Sequence, residues 1–116
     1  MDLRVEVGAG AGTPTDPAVV VAVGSLDART ATRLREQLVA LCAQDRHHVV
    51  VDLDGVELLD ATGLGVLVAA LRRVRPHGGS VRLVCTRPDV RRVLEVVGVT
   101  GMLPLHPTVQ HALTAA

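Results

Sequence analysis

The order of apolar and polar positions divides this chain into short, alternating elements. Leu3-Arg4-Val5-Glu6-Val7 alternates apolar with polar, the period of a half-exposed strand. Residues 8–17, GAGAGTPTDP, are small and rich in Gly and Pro, which predicts a flexible loop. Ala18 to Val23 is continuously apolar, a strand expected to pair antiparallel with the first. Gly24-Ser25-Leu26-Asp27 then turns the chain, with Asp27 as the expected N-cap of a helix reaching about Ala43. Ala31, Leu34, Leu38, Leu41 and Cys42 recur along one side of that helix, leaving Arg29, Arg33, Arg35 and Glu36 for solvent.

The stretch from Val49 to Leu71, VVVDLDGVELLDATGLGVLVAAL, organises the rest. Val49-Val50-Val51 reads as a buried strand that passes through Asp52-Leu53 into an acidic turn. Asp60-Ala61-Thr62-Gly63 then opens a helix with Leu64, Leu67, Leu71 and Val74 on one side. His77-Gly78-Gly79, just after Pro76, is its expected stop. Ser80 to Cys85 predicts another strand, and Pro88 the first turn of a helix whose apolar face is Val90, Val93, Leu94 and Val97. Gly98 and Gly101 break that helix, Met102 to Leu105 predicts a short last strand, and Pro107 opens a helix with Val109, Ala112 and Leu113. After the initial hairpin, strands alternate with helices. That order predicts an α/β fold, a small mixed and mostly parallel sheet of four to five strands with about four helices, in a single domain over 1–116 with its core at about 3–115.

Composition narrows what such a domain can do. Of 116 residues, 48% are apolar, yet Phe, Tyr and Trp are absent, so the core rests on Val, Leu and Ala. Recognition of bases or sugars by aromatic stacking is excluded. All 12 basic residues are Arg, against 12 Asp and Glu, so no basic footprint for nucleic acid exists. Arg-only basicity with abundant Ala, Val and Gly points to a GC-rich bacterial genome. Neither a signal-like N-terminus nor an apolar run of about 18 residues is present, so a soluble, cytoplasmic chain without membrane insertion is expected. Cys42 and Cys85 read as buried thiols in a reducing compartment rather than a disulfide or metal pair.

The strand–helix junction at residues 52–65 is the candidate for chemistry, and several chemistries fail there. Gly63-Leu64-Gly65 resembles a dinucleotide loop only in part, because Val68 stands where a third small residue belongs. Without any lysine, a phosphate-binding P-loop is excluded. The two glycines are expected to serve close helix–sheet packing. No histidine lies near Asp60 and Thr62 in sequence, so no nucleophile–base pair is expected and the protein reads as a non-enzyme. The histidines show no ligand spacing, and His47-His48 would point to opposite faces of a strand, so neither metal nor cofactor is expected. Asp52, Asp54, Glu57 and Asp60 concentrate acid around the junction, where they cap the turn and favour the positive helix end. Thr62 reads first as a plain N-cap and second as a modifiable hydroxyl, at which phosphate would add about −1.5 to −2 charges.

The stretch VVVDLDGVELLDATGLGVL, with Asp-x-Thr-Gly-Leu-Gly after a V-D-L strand, closely resembles the signature of STAS domains, in particular the single-domain anti-sigma factor antagonists. Gly24-Ser25-Leu26-Asp27 resembles that family's G-x-L-D turn before its first helix. The resemblance implies a partner-switching regulator of transcription. It would bind an anti-sigma factor that is also a kinase, be released by phosphorylation at the position of Thr62, and be reset by a phosphatase. It further implies a partner-binding surface of Ser25, Asp27, Asp60, Ala61, Thr62, Gly63 and Leu64, with Leu64 and Val68 as its apolar part. The family's antagonists usually carry Ser-Ser where this chain has Ala61-Thr62, and often Glu where it has Ser25. STAS domains also act as stressosome scaffolds and as soluble accessory subunits of lipid-transport ATPase complexes, the alternative that the resemblance leaves open. Oligomeric state is not readable from the sequence.

Overall fold

A computed structural model describes residues 2–8 and 17–114. Most of the loop expected over 8–17, residues 9–16, lies outside the described residues. The strands are β1 (Leu3–Val7), β2 (Ala18–Leu26), β3 (His48–Leu59), β4 (Ser80–Val84) and β5 (Leu105–His106). The helices are α1 (Ala31–Ala43), α2 (Ala61–Val74), α3 (Pro88–Val96) and α4 (Val109–Thr114), with 3-10 turns at Arg75–His77 and Val99–Gly101. The sheet order is β1-β2-β3-β4-β5, with β1 antiparallel to β2 and all other pairs parallel. The α/β reading and the initial hairpin therefore hold.

Two layers follow from which strand residues face which helices. Leu26, Val49, Val51, Leu53, Val81 and Leu83 meet Leu34, Leu38, Leu67, Leu71 and Leu94 in one large core on the face covered by α1, α2 and α3. A second, small cluster of Val50, Val84 and Ala112 lies on the other face under α4. Burial on both faces explains why Val49–Val51 is an unbroken apolar run rather than an alternating one. α2 is amphipathic as expected, with Leu64, Leu67, Leu71 and Val74 all buried.

Several boundaries differ from the sequence reading, each for a physical reason. The acidic turn expected after Leu53 is strand. β3 continues to Leu59, and its register against β2 slips twice, between Val21/Val23 and between Gly24/Ser25. At each slip β3 carries one residue more than β2, a bulge that breaks the alternation by which a strand is recognised. Asp52 and Asp54 serve this irregular strand: Asp52 Oδ1 accepts the Asp54 N–H (3.0 Å), and Asp54 Oδ1 accepts both the N–H (2.6 Å) and the hydroxyl (3.1 Å) of Thr86 after β4. β2 likewise absorbs the turn expected at Gly24–Leu26. The last strand is Leu105–His106 rather than Met102–Leu105, because a 3-10 turn ends at Gly101 and the Met102 and Leu103 N–H groups both bond back to Val99 O. On α3 only Val90 and Leu94 are buried, while Val93 and Val97 stay exposed.

Burial also sets two titrations. The Cys85 thiol is pushed up chiefly by burial, with the Asp54 charge adding to it. Burial likewise holds His106 below its ordinary value of 6.5, reinforced by His111 and Arg82. His106 Nδ1 stands 2.8 Å from His111 Nδ1.

Leu67 is fully buried and Leu58 is 47% exposed. Leu67→Ala should therefore cost about 2–5 kcal/mol in urea denaturation, and Leu58→Ala no more than about 0.5 kcal/mol. The depressed His106 has a defined sign: the unfolded chain takes the proton first, so its contribution is complete above 6.5 and declines as pH falls below that value. Wild-type denaturation midpoints should drop between about pH 7.5 and about pH 5.5, and His106→Gln should flatten that drop.

Candidate functional site

The site is the point where β3 ends and α2 begins, beside the turn between β2 and α1. Asp60 sits in extended conformation as the N-cap of α2. One carboxylate oxygen, Oδ1, accepts the Gly63 N–H (3.0 Å), and the other, Oδ2, accepts the Ala28 N–H (3.2 Å) from the neighbouring turn. Its own N–H donates to Leu26 O (3.2 Å), and its carbonyl accepts the Leu64 N–H (3.0 Å). Asp60 thus satisfies the Gly63 and Leu64 N–H groups of the first helical turn and ties two chain segments 32 residues apart.

Gly63 makes that junction tight. A Cβ there would lie 2.6 Å from Leu26 O and 2.7 Å from Leu26 Cγ, so only glycine lets α2 approach the end of β2. Gly65 does not share this role: nothing lies within 4 Å of a Cβ built on it, and it faces solvent. The paired packing role expected for the two glycines belongs to Gly63 alone.

The neighbouring turn is closed by a reciprocal pair. Asp27 Oδ1 accepts the Arg29 N–H (2.9 Å), while Thr30 Oγ1 accepts the Asp27 N–H (3.0 Å) and donates to Ser25 O (2.5 Å). The regular helix begins only at Ala31, after this turn, rather than directly after Asp27. Thr30 is buried, so this hydroxyl holds the turn from inside.

The residues expected to form the binding surface divide by burial. Ala61 and Thr62 are exposed, and Asp27 and Asp60 are half-buried. Ser25 is fully buried and Gly63 is buried, so both support the site from beneath instead of presenting side chains on it. Leu64 is 9% exposed and packs in the main core, which removes it from the outer face; Val68 is half-buried. The plain N-cap reading of Thr62 is corrected as well. Asp60 holds the cap, and Thr62, the second residue of α2, has an exposed hydroxyl with no hydrogen bond among the described residues. The acidic cluster is also dispersed, since Asp52 and Asp54 are spent on β3 and Thr86.

At the far end of β3 the fold makes a second grouping that the sequence reading missed. Cys42, His47 and His77 come together from three segments, with ligand atoms within 4.8 Å of one another. Cys42 is half-buried rather than buried, and both cysteines are free. The Cys42-x4-His47 spacing was the one available signal; His77 is 30 residues further on and joins only through the fold.

The junction of this mixed sheet therefore presents an exposed hydroxyl beside a capped helix start. The STAS domain profile matches residues 11–112. The anti-sigma F factor antagonist of Paenibacillus polymyxa is 28% identical over 92 residues, covering 78% of this chain and 79% of that one. The anti-sigma-B factor antagonist of Bacillus subtilis is 32% identical over 82 residues, covering 71% and 74%. The crystal structure of an anti-sigma factor antagonist from Mycobacterium paratuberculosis matches with a TM-score of 0.85 at 30% identity, over 97% of this chain and 92% of the other. The chain belongs to the STAS domain family, and its homology to anti-sigma factor antagonists, which are regulators rather than enzymes, runs over most of its length. No helix among the described residues is long and apolar enough to cross a membrane.

Asp60→Ala removes a cap and an inter-segment bond together and should cost about 1–2 kcal/mol of stability. Thr62→Ala should cost less than about 0.5 kcal/mol. Equal losses for the two variants in urea denaturation would mean that Thr62 shares the capping.

Proposed function

We propose that this protein is a cytoplasmic anti-sigma factor antagonist that binds an anti-sigma factor with serine/threonine kinase activity and is released by phosphorylation of Thr62. A phosphatase would restore the binding form. The observation that carries this reading is the division of labour at α2. Asp60 supplies the cap, so the Thr62 hydroxyl is left exposed and unbonded two residues into the helix. A hydroxyl that folding does not use is available for modification.

The docking surface in this reading is smaller than the motif. It consists of the exposed edge of the 27–29 turn, Asp60, Ala61 and Thr62, with Leu58 at the end of β3 as its apolar contact, 47% exposed. Gly65 leaves the helix bare one turn beyond Ala61, which would allow a partner backbone to come close. Ser25, Gly63 and Leu64 hold this surface in shape from within.

Phosphate on Thr62 would meet the positive end of α2, which attracts it, and the Asp60 carboxylate, which repels it. The Gly63 N–H is already taken by Asp60 and the Leu64 N–H by its carbonyl, so only the first N–H groups of α2 remain to receive it. The larger effect falls on the partner: about −1.5 to −2 charges would enter an interface formed around a neutral hydroxyl.

The test starts with partners recovered from native cells in growth and under stress, with intact mass and phosphosite mapping on the protein. One phosphoryl group on Thr62, varying with condition, is expected. Thr62→Ala should bind the recovered kinase like the unmodified protein, and Thr62→Glu at least about tenfold more weakly in calorimetry. An always unmodified Thr62, in a protein held stably within a larger assembly, would replace this reading with a scaffold or accessory-subunit role.

A further inference from the structure

The last turn of α1, the loop entering β3 and the 3-10 turn after α2 converge at the end of the domain away from Thr62. Each delivers one metal-ligating side chain: Cys42, His47 and His77. Cys42 Sγ lies 3.7 Å from His47 Nδ1. Around a tetrahedral zinc ion, with sulfur at about 2.3 Å and nitrogen at about 2.0 Å, two such atoms stand about 3.5 Å apart. The pair is already spaced as one edge of that coordination sphere.

Two further features support the same ligand. His47 Nε2, the nitrogen turned away from Cys42, is 3.8 Å from Asp45 Oδ1. That is ion-pair range, longer than a hydrogen bond; a turn of the exposed Asp45 side chain would close it into the carboxylate–histidine pairing that orients a metal-bound ring. The backbone that puts Asp45 there is unusual. α1 ends in a Schellman motif, in which Asp45 N–H bonds Cys42 O (3.1 Å) and Arg46 N–H bonds Leu41 O (2.9 Å). Its left-handed position, where glycine is the usual occupant, is Asp45 at φ 59°, the only non-glycine with positive φ among the described residues.

The three ligands differ in freedom. His47 is held by its carbonyl, which accepts the Ser80 N–H (2.9 Å), and by Gly79, where a Cβ would come within 2.2 Å of that carbonyl oxygen. His77 is exposed, and its ring lies flat on that of His47, with centroids 4.0 Å apart and planes 4° from parallel. Parallel rings do not aim their lone pairs at one point, so His77 must turn about its side-chain bonds to join. Solvent beside it supplies a fourth ligand.

We infer that Cys42, His47 and His77 bind one zinc-class divalent ion per chain, with Asp45 positioning His47. A thiolate with two imidazoles selects borderline transition ions over calcium or magnesium. On binding, the Cys42 S–H bond breaks, a sulfur–metal bond forms and the proton leaves to solvent. The ion would join the C-terminal ends of α1 and α2, and so brace the helix that carries Thr62 at its other end.

The test uses the full chain without a histidine tag, titrated with Co2+ as a spectroscopic substitute for Zn2+. One equivalent should produce d–d bands of tetrahedral type and a thiolate-to-cobalt charge-transfer band, both abolished by one equivalent of Zn2+, with about one proton released per ion near neutral pH. Cys42→Ser should lose the charge-transfer band while keeping its far-ultraviolet circular dichroism. His47→Ala and His77→Ala should each weaken Zn2+ binding about tenfold or more. Asp45→Gly should weaken Zn2+ binding while raising the metal-free unfolding midpoint, a pair of effects that a merely structural residue would not produce. In the wild type, Zn2+ should protect Cys42 from alkylation, a readout that needs no variant. A cobalt complex without the thiolate band, no protection of Cys42, or binding that survives His47→Ala and is lost in His111→Ala would overturn the assignment.

Discussion

The Asp60 carboxylate is the constraint on which the rest of the site depends. Its two oxygens receive N–H groups from α2 and from the β2–α1 turn, so one side chain fixes both where the helix starts and what lies beside it. The neutral alternative, an unsatisfied helix end pressed against the sheet, would leave donors without partners in a half-buried setting. Gly63 cooperates by geometry as well as through the N–H it gives to Asp60. Its missing side chain lets α2 sit on Leu26, and that contact brings the Ala28 N–H within reach of Asp60.

From that junction the requirements run outward along β3. The strand reaches the junction only because it is twelve residues long and bulged, with Asp52 and Asp54 bonding the irregular backbone and the loop after β4. The bulges change which residues face outward, and Leu58 reaches the surface beside the buried Val56 and Leu59. The opposite end of the same strand is held by different means: His47 O bonded to Ser80, Gly79 packed on it, and α1 closed by its Schellman turn. Two polar sites therefore stand at the two ends of one strand. Each uses the terminus of α2 that lies nearest, its start for Thr62 and the turn after its end for His77.

The economy of the fold follows from its composition. With no aromatic side chain, the core is built from Val, Leu and Ala with Cys85, in one large and one small cluster on the two faces of the sheet. Its ordered polar groups stand instead at strand ends and helix ends, as at Asp60.

By itself the sequence determined the element order, the mixed sheet and the buried stripe of α2, because each depends on a local period: apolar runs for strands covered on both faces, and threefold and fourfold spacing for the helix. It also located the junction at Asp60–Thr62, where an apolar strand gives way to an acidic connection and then to helical spacing. What only the tertiary structure decided was the use of each residue. Asp52 and Asp54 read as an acidic turn because two bulges erased the alternation of β3, and pairing with β2 is what reveals them as strand. Asp60 rather than Thr62 is the cap, and its second oxygen takes the Ala28 N–H from 32 residues away. Ser25 and Leu64 went inward, and Cys42, His47 and His77 came together, through the packing of α1 and α2 on the sheet. Such outcomes depend on contacts between segments far apart in the chain, and no local pattern encodes them.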